Sequence, residues 1–201
     1  MDWDDRELMQ RVQAGQLSLF DELVRRYRGP LHRVAADKLG DAGRAEDVVQ
    51  ETFLAVFAAR HTYKPQFAFR TWLWTILLNL CRRELSKRKR RSREVLNSTL
   101  SASSQGFSEI PGNRSPRAEP STTETGLTRI LQRERKQQLL DQLAKLPEVQ
   151  ADAIRLRFFG ELKYGEIAEA MGCREITAKV RVRNGLATLS RLLRDTMGEV
   201  P

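Results

Sequence analysis

The stretch RTWLWTILLNLCRRELSKRKRR, residues 70–91, decides the fold. Placed on a helix at about 100° per residue, its apolar side chains cover more than half of the circumference, so the helix must pack against several neighbours. Basic residues fill its end, 87–91. The polar remainder forms one stripe: Thr71, Thr75, Asn79, Arg82 and Ser86. This stripe and the basic end fit either a surface for a polyanion or an ordinary solvated face with a basic tail.

Charge narrows the possible partners. The 201 residues include 35 Lys and Arg against 26 Asp and Glu, a formal net charge of +9. Such a balance favours nucleic acid or an anionic membrane surface as the partner. The sequence contains no apolar run long enough to span a bilayer and no secretory signal, so we expect a cytoplasmic protein without membrane insertion. Cys81 and Cys173 lie in apolar patterns, which predicts buried free thiols rather than a disulfide or metal site.

Helical spacing also marks the residues before the deciding stretch. Residues 4–14 predict a short amphipathic helix, and the spacing that follows is interrupted at Gly29–Pro30, which predicts a kink or a break. Residues 45–60 predict another helix, with Asp41 as the N-cap. Its inward face is formed by Ala45, Val48, Val49, Thr52, Phe53 and Val56.

The opposite face of the helix 45–60 is rich in carboxylates, although the protein is basic. It carries Asp47, Gln50, Glu51 and Leu54. This face is either a solvated surface or a docking site for a basic protein partner, because a carboxylate face repels nucleic acid. The following loop, residues 61–69, holds three aromatic residues beside basic ones. These aromatic rings either stack on unpaired bases or plug the core beneath them.

The composition changes after residue 91. Residues 92–125 are rich in serine and proline with little periodicity, which predicts a flexible linker between two domains. Helical spacing resumes in residues 126–201. There a short helix, a turn at Gly172 and a longer basic helix from Arg174 predict a helix-turn-helix, although a plain αα-hairpin gives a similar pattern.

The order and spacing of these segments resemble the bacterial sigma factors of the extracytoplasmic-function group. DAGRAEDVVQETFLAVF resembles sigma region 2.2, FRTWLWTILLNLCRRELSKRKRR resembles regions 2.3–2.4, and LPEVQADAIRLRFFGELKYGEIAEAMGCREITAKVRVRNGLATL resembles region 4. The resemblance covers nearly the whole chain. It implies an all-α fold with region 2 in residues 1–91, a flexible linker in 92–125 and a region 4 helix-turn-helix in 126–201.

For region 2 the resemblance implies two binding faces. The clamp of the largest subunit of core RNA polymerase would contact Asp47, Gln50, Glu51 and Leu54. The minus-ten element of promoter DNA would be captured and melted by Phe67, Phe69, Thr71, Thr75, Asn79 and Arg82. Asn79 matches an asparagine of the family pattern, whereas Leu78 stands where the family usually has arginine.

For region 4 the resemblance implies that the last long helix reads the minus-thirty-five element in the major groove. The family pattern places Ala178, Val182 and Gly185 inside. The residues facing the groove are then Ile176, Lys179, Val180, Arg183 and Asn184. Phosphates would be contacted by Lys163, Tyr164 and Arg181. Ile176, Val180 and Gly185 depart from the residues usual in the family, and the first two are expected to change the sequence that is read.

The implied function is promoter recognition and melting for core RNA polymerase, with no catalytic residues, metal or cofactor and with an anti-sigma factor as regulator. A stand-alone helix-turn-helix regulator is the main alternative. A nucleic-acid enzyme is disfavoured because only His32 and His61 are present and no phosphate-binding Gly-rich loop appears. Membrane-surface binding through residues 82–93 lacks the apolar stripe that it would need.

Overall fold

The computed structural model describes residues 3–101 and 126–198, and all regular secondary structure in these two ranges is helical, as predicted. The α-helices are α1 (Asp5–Gln13), α2 (Phe20–Leu39), α3 (Ala42–Ala58), α4 (Phe69–Ser101), α5 (Gly126–Ala144), α6 (Glu148–Phe158), α7 (Tyr164–Ala170) and α8 (Glu175–Gly198). We call α1–α4 the N-terminal domain and α5–α8 the C-terminal domain. Within the described ranges, no helix is both long enough and apolar enough to cross a bilayer.

Local capping sets several helix ends. Asp4 accepts a hydrogen bond from the Glu7 backbone N–H at 2.7 Å, and the Glu7 carboxylate accepts one from the Asp4 N–H at 3.2 Å, which forms a capping box at α1. The predicted N-cap Asp41 is confirmed, since its carboxylate accepts a hydrogen bond from the Arg44 N–H at 3.0 Å. Gly40 ends α2 in the left-handed conformation that glycine adopts without strain.

Helix α2 is continuous through Gly29–Pro30, so of the two predicted outcomes, a kink or a break, the break does not occur. Proline removes one backbone hydrogen bond inside a helix. The flanking side chains Leu23 and Leu31 are both fully buried in the same core. Packing on both sides of the proline therefore holds the two halves in one helix.

Helix α4 is longer than the sequence pattern predicts. It continues past residue 91 to Ser101, so the first ten residues of the predicted linker are helical. One of the residues in this extension, Glu94, forms an ion pair with Arg90 at 3.4 Å. The two residues have the i,i+4 spacing that supports a helix. The remainder of the predicted linker, residues 102–125, lies outside the described residues.

Helix α4 is the centre of the N-terminal domain. Its side chains Leu73, Trp74, Leu77 and Leu78 are fully buried, and α1, α2 and α3 pack around them. The predicted inward face of α3 is confirmed, because all six of its residues are buried. Cys81 is buried, as predicted, whereas Cys173 is partly exposed, so the prediction of a buried thiol is wrong for Cys173. Burial raises the pKa of the Cys81 thiol to about 12.

In the C-terminal domain, α8 lies directly against α6. A β-carbon at Gly185 would be 2.8 Å from Cδ1 of Ile154, so a larger residue at this position would require the end of the Ile154 side chain to shift. Gly172 lies between α7 and α8 with a φ of +61°, the left-handed conformation that a tight turn needs. The predicted helix-turn-helix is thus present as α7, the turn and α8.

The two domains touch each other through what we call the domain interface. Helix α6 contacts α2, and α7 contacts α4. At one end of this interface, a β-carbon at Gly160 would lie 3.0 Å from Cζ2 of Trp74. The backbone of the C-terminal domain therefore lies against the most deeply buried aromatic ring of the N-terminal domain.

Candidate polymerase and nucleic-acid interfaces

The outer surface of α3 combines carboxylates with an unburied leucine. Asp47, Gln50 and Glu51 are exposed, and Leu54 is 70% exposed. Glu51 forms an ion pair with Arg83 of α4 at the edge of this surface. The four residues on α3 that the sequence marks as one face therefore do share one exposed face, which we call the α3 face.

An apolar groove of about 470 Å³ runs beside Leu54 between α2 and α3. Its lining residues are Phe20, Val24, Arg28, Glu46, Val49, Gln50, Phe53, Leu54 and Phe57. An exposed leucine beside an apolar groove, with carboxylates around it, is typical of a protein-binding surface. The same carboxylates disfavour a polyanionic ligand at this face.

A second cavity, of about 520 Å³, lies where the loop before α4 meets the start of that helix. We call it the loop cavity. It is lined by Thr62, Tyr63, Lys64, Phe67, Thr71, Trp72, Thr75 and Glu169. Phe67 is 56% exposed at its rim. Thr71 is a buried residue of the cavity wall, and its hydroxyl has no hydrogen-bond partner among the described residues.

The expectation that Phe69 stacks on a base does not fit the structure. Its ring is 2% exposed and does not line the loop cavity. It makes edge contacts with Tyr27 and Tyr63 at centroid distances of 5.9 Å each, and with Trp72 at 6.1 Å. Phe69 therefore belongs to the core under the loop, which is the other role considered for a loop aromatic.

Sequence reasoning missed Tyr63, Lys64 and Trp72, which do line the loop cavity. The Trp72 ring stacks on Tyr63 with centroids 5.4 Å apart. One signal for Trp72 was present, because on a helical projection it lies only about 20° from Asn79 of the polar stripe. Tyr63 and Lys64 were marked only as a group, as one of the three aromatic residues and a neighbouring basic residue of the loop 61–69.

The polar stripe of α4 is exposed only in part. Thr75 is half-buried, and its hydroxyl donates to the Thr71 carbonyl at 2.9 Å. Asn79 is exposed, and its amide oxygen accepts a hydrogen bond from Arg82 at 3.1 Å. Arg82 also lies 3.9 Å from the Asp152 carboxylate of α6, so one member of the stripe already has a partner in the C-terminal domain.

Helix α8 presents the arc that the sequence predicts. Ile176, Lys179, Val180, Arg183 and Asn184 are all exposed, and the inward residues Ala178, Val182 and Gly185 are buried. Exposed apolar side chains beside cationic ones give this face the groups that contact thymine methyls and guanine acceptors in the major groove.

The start of α7 lies beside the α8 arc. Lys163 is exposed, and its backbone N–H donates to Glu166 at 2.7 Å in the first turn. The Tyr164 ring lies near two cations, with Arg157 at 5.0 Å and Lys179 at 5.9 Å from its centroid. Arg181 is half-buried. Cationic groups from α6, α7 and α8 thus border one end of the arc.

The part of the chain that the structure describes contains no group of three or more His, Cys, Asp or Glu side chains that could hold a metal ion. The three surfaces described above are therefore assembled from apolar, hydrogen-bonding and singly charged side chains. Such groups bind and orient macromolecules.

Two family models match the chain in the same order as the two domains. Residues 23–91 match Sigma-70 region 2, and residues 136–189 match Sigma-70, region 4. The α3 face lies in the first match, as do all residues that line the loop cavity except Glu169. The α7–α8 helix-turn-helix begins in the second match.

Similar proteins agree with these matches. The RNA polymerase sigma-H factor of Pseudomonas aeruginosa is 29% identical over 97% of this chain and 96% of that protein. The ECF RNA polymerase sigma-E factor of Escherichia coli K12 is 31% identical over 89% of this chain and 88% of that protein.

Solved structures with the same fold include the sigma factor RpoE in complex with the anti-sigma factor NepR from Bartonella quintana. That match has a TM-score of 0.60 and 26% identity, and it covers 87% of this chain and 96% of the other. CnrH, solved in complex with the cytosolic domain of CnrY, matches with a TM-score of 0.67 and 23% identity over 95% and 97% of the two chains. The protein therefore belongs to the sigma-70 family, as an RNA polymerase sigma factor of the extracytoplasmic-function group.

Proposed function

We propose that this sigma factor divides promoter recognition and melting among three faces of the molecule. The observation that carries the proposal is their chemical separation: an acidic and apolar α3 face, a loop cavity with an unpartnered hydroxyl, and a cationic arc on α8. Each face suits a different ligand: core polymerase, the melted minus-ten strand or the minus-thirty-five duplex. No single face has the groups to bind all three of these ligands.

The α3 face docks on the clamp of the largest subunit of core RNA polymerase. Asp47, Gln50 and Glu51 supply the charge and hydrogen bonds, and Leu54 with the adjoining groove supplies apolar area. Leu54 packs little against its own chain, so its burial is available to stabilise a complex.

The loop cavity receives a base that leaves the duplex when the minus-ten element melts. Melting exposes unpaired bases, and a protein that captures them needs a pocket for one base and rings on which others stack. The Thr71 hydroxyl and the Thr75 side chain supply polar groups to the pocket, and Phe67 supplies the ring. Asn79 and Arg82 follow along α4, where the strand would continue.

The α8 arc reads the minus-thirty-five element in the major groove. Lys179 and Arg183 donate hydrogen bonds to guanine acceptors, while Ile176 and Val180 contact thymine methyl groups. Asn184 completes the arc. Lys163, Tyr164 and Arg181 contact phosphates at its border and so fix the position of the helix on the duplex.

The protein acts in the cytoplasm without catalytic chemistry, cofactor or metal of its own, and the polymerase performs the synthesis. An anti-sigma factor is the regulator that fits best. NepR is bound to a similar sigma factor in a solved structure with this fold. A partner of this kind would inhibit transcription by covering one of the three faces.

Reversing the charge of the α3 face tests the proposal. The double variant Asp47→Arg and Glu51→Arg should lose co-purification with core polymerase and keep its helix content, because exposed charges contribute little to stability. A matched control is Glu134→Arg with Asp141→Arg, two exposed residues on α5 that give the same change in net charge. Unchanged affinity of the first variant for core polymerase would refute the assignment.

A further inference from the structure

Helix α4 carries a strongly basic segment that none of the three proposed faces uses. It consists of residues 86–94, which we call the α4 arm. The α4 arm contains six Lys or Arg residues and one Glu, a net charge of +5 in a chain whose net charge is +9. Every residue of the α4 arm is exposed, and the helix continues beyond it to Ser101. More than half of the net charge of the protein therefore lies on one helical segment that the domain core does not cover.

The charges of the α4 arm repel one another in the free protein. Each of the six cations has another cation three or four positions away, and like charges at this spacing destabilise a helix. Two carboxylates among the described residues compensate part of this charge. Glu84 lies 3.9 Å from the Lys87 ammonium group, and Glu94 lies 3.4 Å from the Arg90 guanidinium group. A polyanion that binds the α4 arm would relieve the remaining repulsion, because its phosphates neutralise the cations.

The cations lie on opposite sides of the α4 arm. At about 100° per residue, Lys87 and Arg91 are separated by only about 40° around the helix axis. Lys89 and Arg93 form a second pair, about 200° from the first. A flat anionic surface, such as a membrane, would meet only one of these two sides. A DNA groove has a phosphate strand along each wall, and the major groove is wide enough to admit an α-helix.

The composition of the α4 arm favours double-stranded over single-stranded DNA. Residues 86–94 contain no aromatic residue, whereas proteins that hold single strands stack the unpaired bases on aromatic rings. Lys and Arg side chains that contact phosphates bind with little regard to base sequence. The α4 arm therefore has the groups for a contact with duplex DNA that does not depend on sequence.

The position of the α4 arm indicates which part of the duplex it reaches. At about 1.5 Å per residue, Lys87 and Arg93 lie about 12 and 21 Å beyond Asn79 along the axis of α4. The proposed function places the melted minus-ten strand at Asn79 and the minus-thirty-five element at α8. The chain leads from α4 to the C-terminal domain that carries α8, so the α4 arm is on the side of the DNA between the two elements. At about 3.4 Å per base pair, its cations reach roughly four to six base pairs into that DNA.

We propose that the α4 arm lies in the major groove of the duplex directly upstream of the minus-ten element and contacts phosphates of both strands. The contact adds affinity for any promoter without reading its sequence. It also stabilises the duplex at that place, because neutralised phosphates repel each other less. The α4 arm thereby sets the upstream boundary of melting. This inference rests on the proposed function for the positions of the two promoter elements.

The test removes one pair of cations at a time from the full chain. Lys87→Gln with Arg91→Gln neutralises one side of the α4 arm, and Lys89→Gln with Arg93→Gln neutralises the opposite side. Glutamine is a good helix former, so both arm variants should keep α4 helical, which circular dichroism checks. All four residues are exposed, so no core contact is lost.

The matched control is Arg135→Gln with Lys145→Gln. It removes the same charge from two exposed residues that lie outside the α4 arm and the three proposed faces. Each variant is assembled with core polymerase, and its affinity for core polymerase is measured separately. A weaker association with core polymerase is then not mistaken for a weaker association with DNA.

Salt dependence counts the phosphate contacts. Binding of each holoenzyme to a fluorescent double-stranded promoter is measured by anisotropy at several salt concentrations. Each neutralised phosphate contributes about −0.9 to the slope of log affinity against log salt concentration. We expect each arm variant to reduce the steepness of this slope by about two and to lose affinity equally on promoters with different spacer sequences. The control should keep the slope of the unmodified chain.

Neutral DNA linkages locate the contact. The same promoter is prepared with uncharged methylphosphonate linkages over about six base pairs directly upstream of the minus-ten element, the reach derived above. The linkages are placed on one strand, on the other strand, or on both. We expect neutral linkages on one strand to abolish the slope difference of one arm variant, and those on the other strand to abolish that of the other variant.

Three results would overturn the inference. Slopes of both arm variants equal to that of the control would show that the α4 arm contacts no phosphate. A reduced slope that persists when both strands are neutral upstream of the minus-ten element would place the contact elsewhere. An equal reduction on a single-stranded minus-ten oligonucleotide would show that the α4 arm binds the melted strand. Failure of the proposed function would be seen separately, as absence of promoter-dependent run-off transcription when the unmodified chain is mixed with core polymerase.

Discussion

Leu54 offers a measurable test of how the α3 face binds core polymerase. Full burial of a leucine side chain contributes about 1.5–3 kcal/mol. Because 70% of Leu54 is exposed in the free protein, a partner that covers it gains roughly 1–2 kcal/mol. Alanine recovers only a small part of this gain, so Leu54→Ala should weaken core binding by about 1 kcal/mol or more, which is about fivefold or more.

The same substitution should leave the folded state almost unchanged. Truncating an exposed side chain leaves no internal cavity, and surface substitutions change the free energy of unfolding by about 0.5 kcal/mol or less. Leu17→Ala is the control, because Leu17 is also an exposed leucine, at 46%, and does not line the groove beside Leu54. Core affinity is measured by competition against a labelled sigma factor, and stability by urea unfolding.

Two results would refute this reasoning. If Leu54→Ala binds core polymerase with unchanged affinity, the α3 face is not the buried contact. If Leu17→Ala loses as much affinity as Leu54→Ala, exposed leucines contribute to binding without regard to their position, and the groove beside Leu54 has no special role.

Three further predictions follow from particular contacts. Arg183→Ala should weaken binding at the cognate minus-thirty-five element by about 1–3 kcal/mol and relax the base preference at that position. Binding to a library of substituted promoters measures both effects, and equal losses on all sequences would indicate that Arg183 contacts only phosphate. Gly185→Ala should gain less stability to urea than the roughly 1 kcal/mol that alanine usually gains over glycine in a helix interior, because a methyl group at 185 would lie 2.8 Å from the end of an α6 side chain. Gly165→Ala is the control, since its methyl group would have its nearest neighbour at 3.8 Å, and an equal gain in both variants would contradict close packing at 185. Lys38→Met should raise the pKa of Glu148 toward its ordinary value in an NMR titration, because the lost hydrogen bond is the main cause of the lowered pKa; an unchanged value would show that the two groups do not pair in solution.

The local features of the fold were predictable from the sequence. The buried faces of α3 and α8 follow from a period of 3.6 residues, and the N-cap at Asp41 follows from its place before that pattern. These features depend on residues within a few positions of one another. The order of the segments was likewise sufficient to indicate the family.

Local patterns were insufficient where the partner of a residue is distant. Phe69 was predicted to be a stacking residue, but Tyr27 and Tyr63 enclose its ring. Residues 92–101 were assigned to a linker by composition, but they continue α4 as helix. The rings packed around Phe69 decided that it is buried, and the length of α4 decided that residues 92–101 are helical. The residue types alone were insufficient to predict either result.

The sequence by itself determined the helices, their inward faces and the family. Only the tertiary structure decided that Lys38 meets Asp152, since the two lie 114 positions apart and each is an ordinary charged residue in an amphipathic helix. The physical reason is that helical periodicity is a property of neighbouring residues, whereas the pairing of buried charges depends on which helices come together in space.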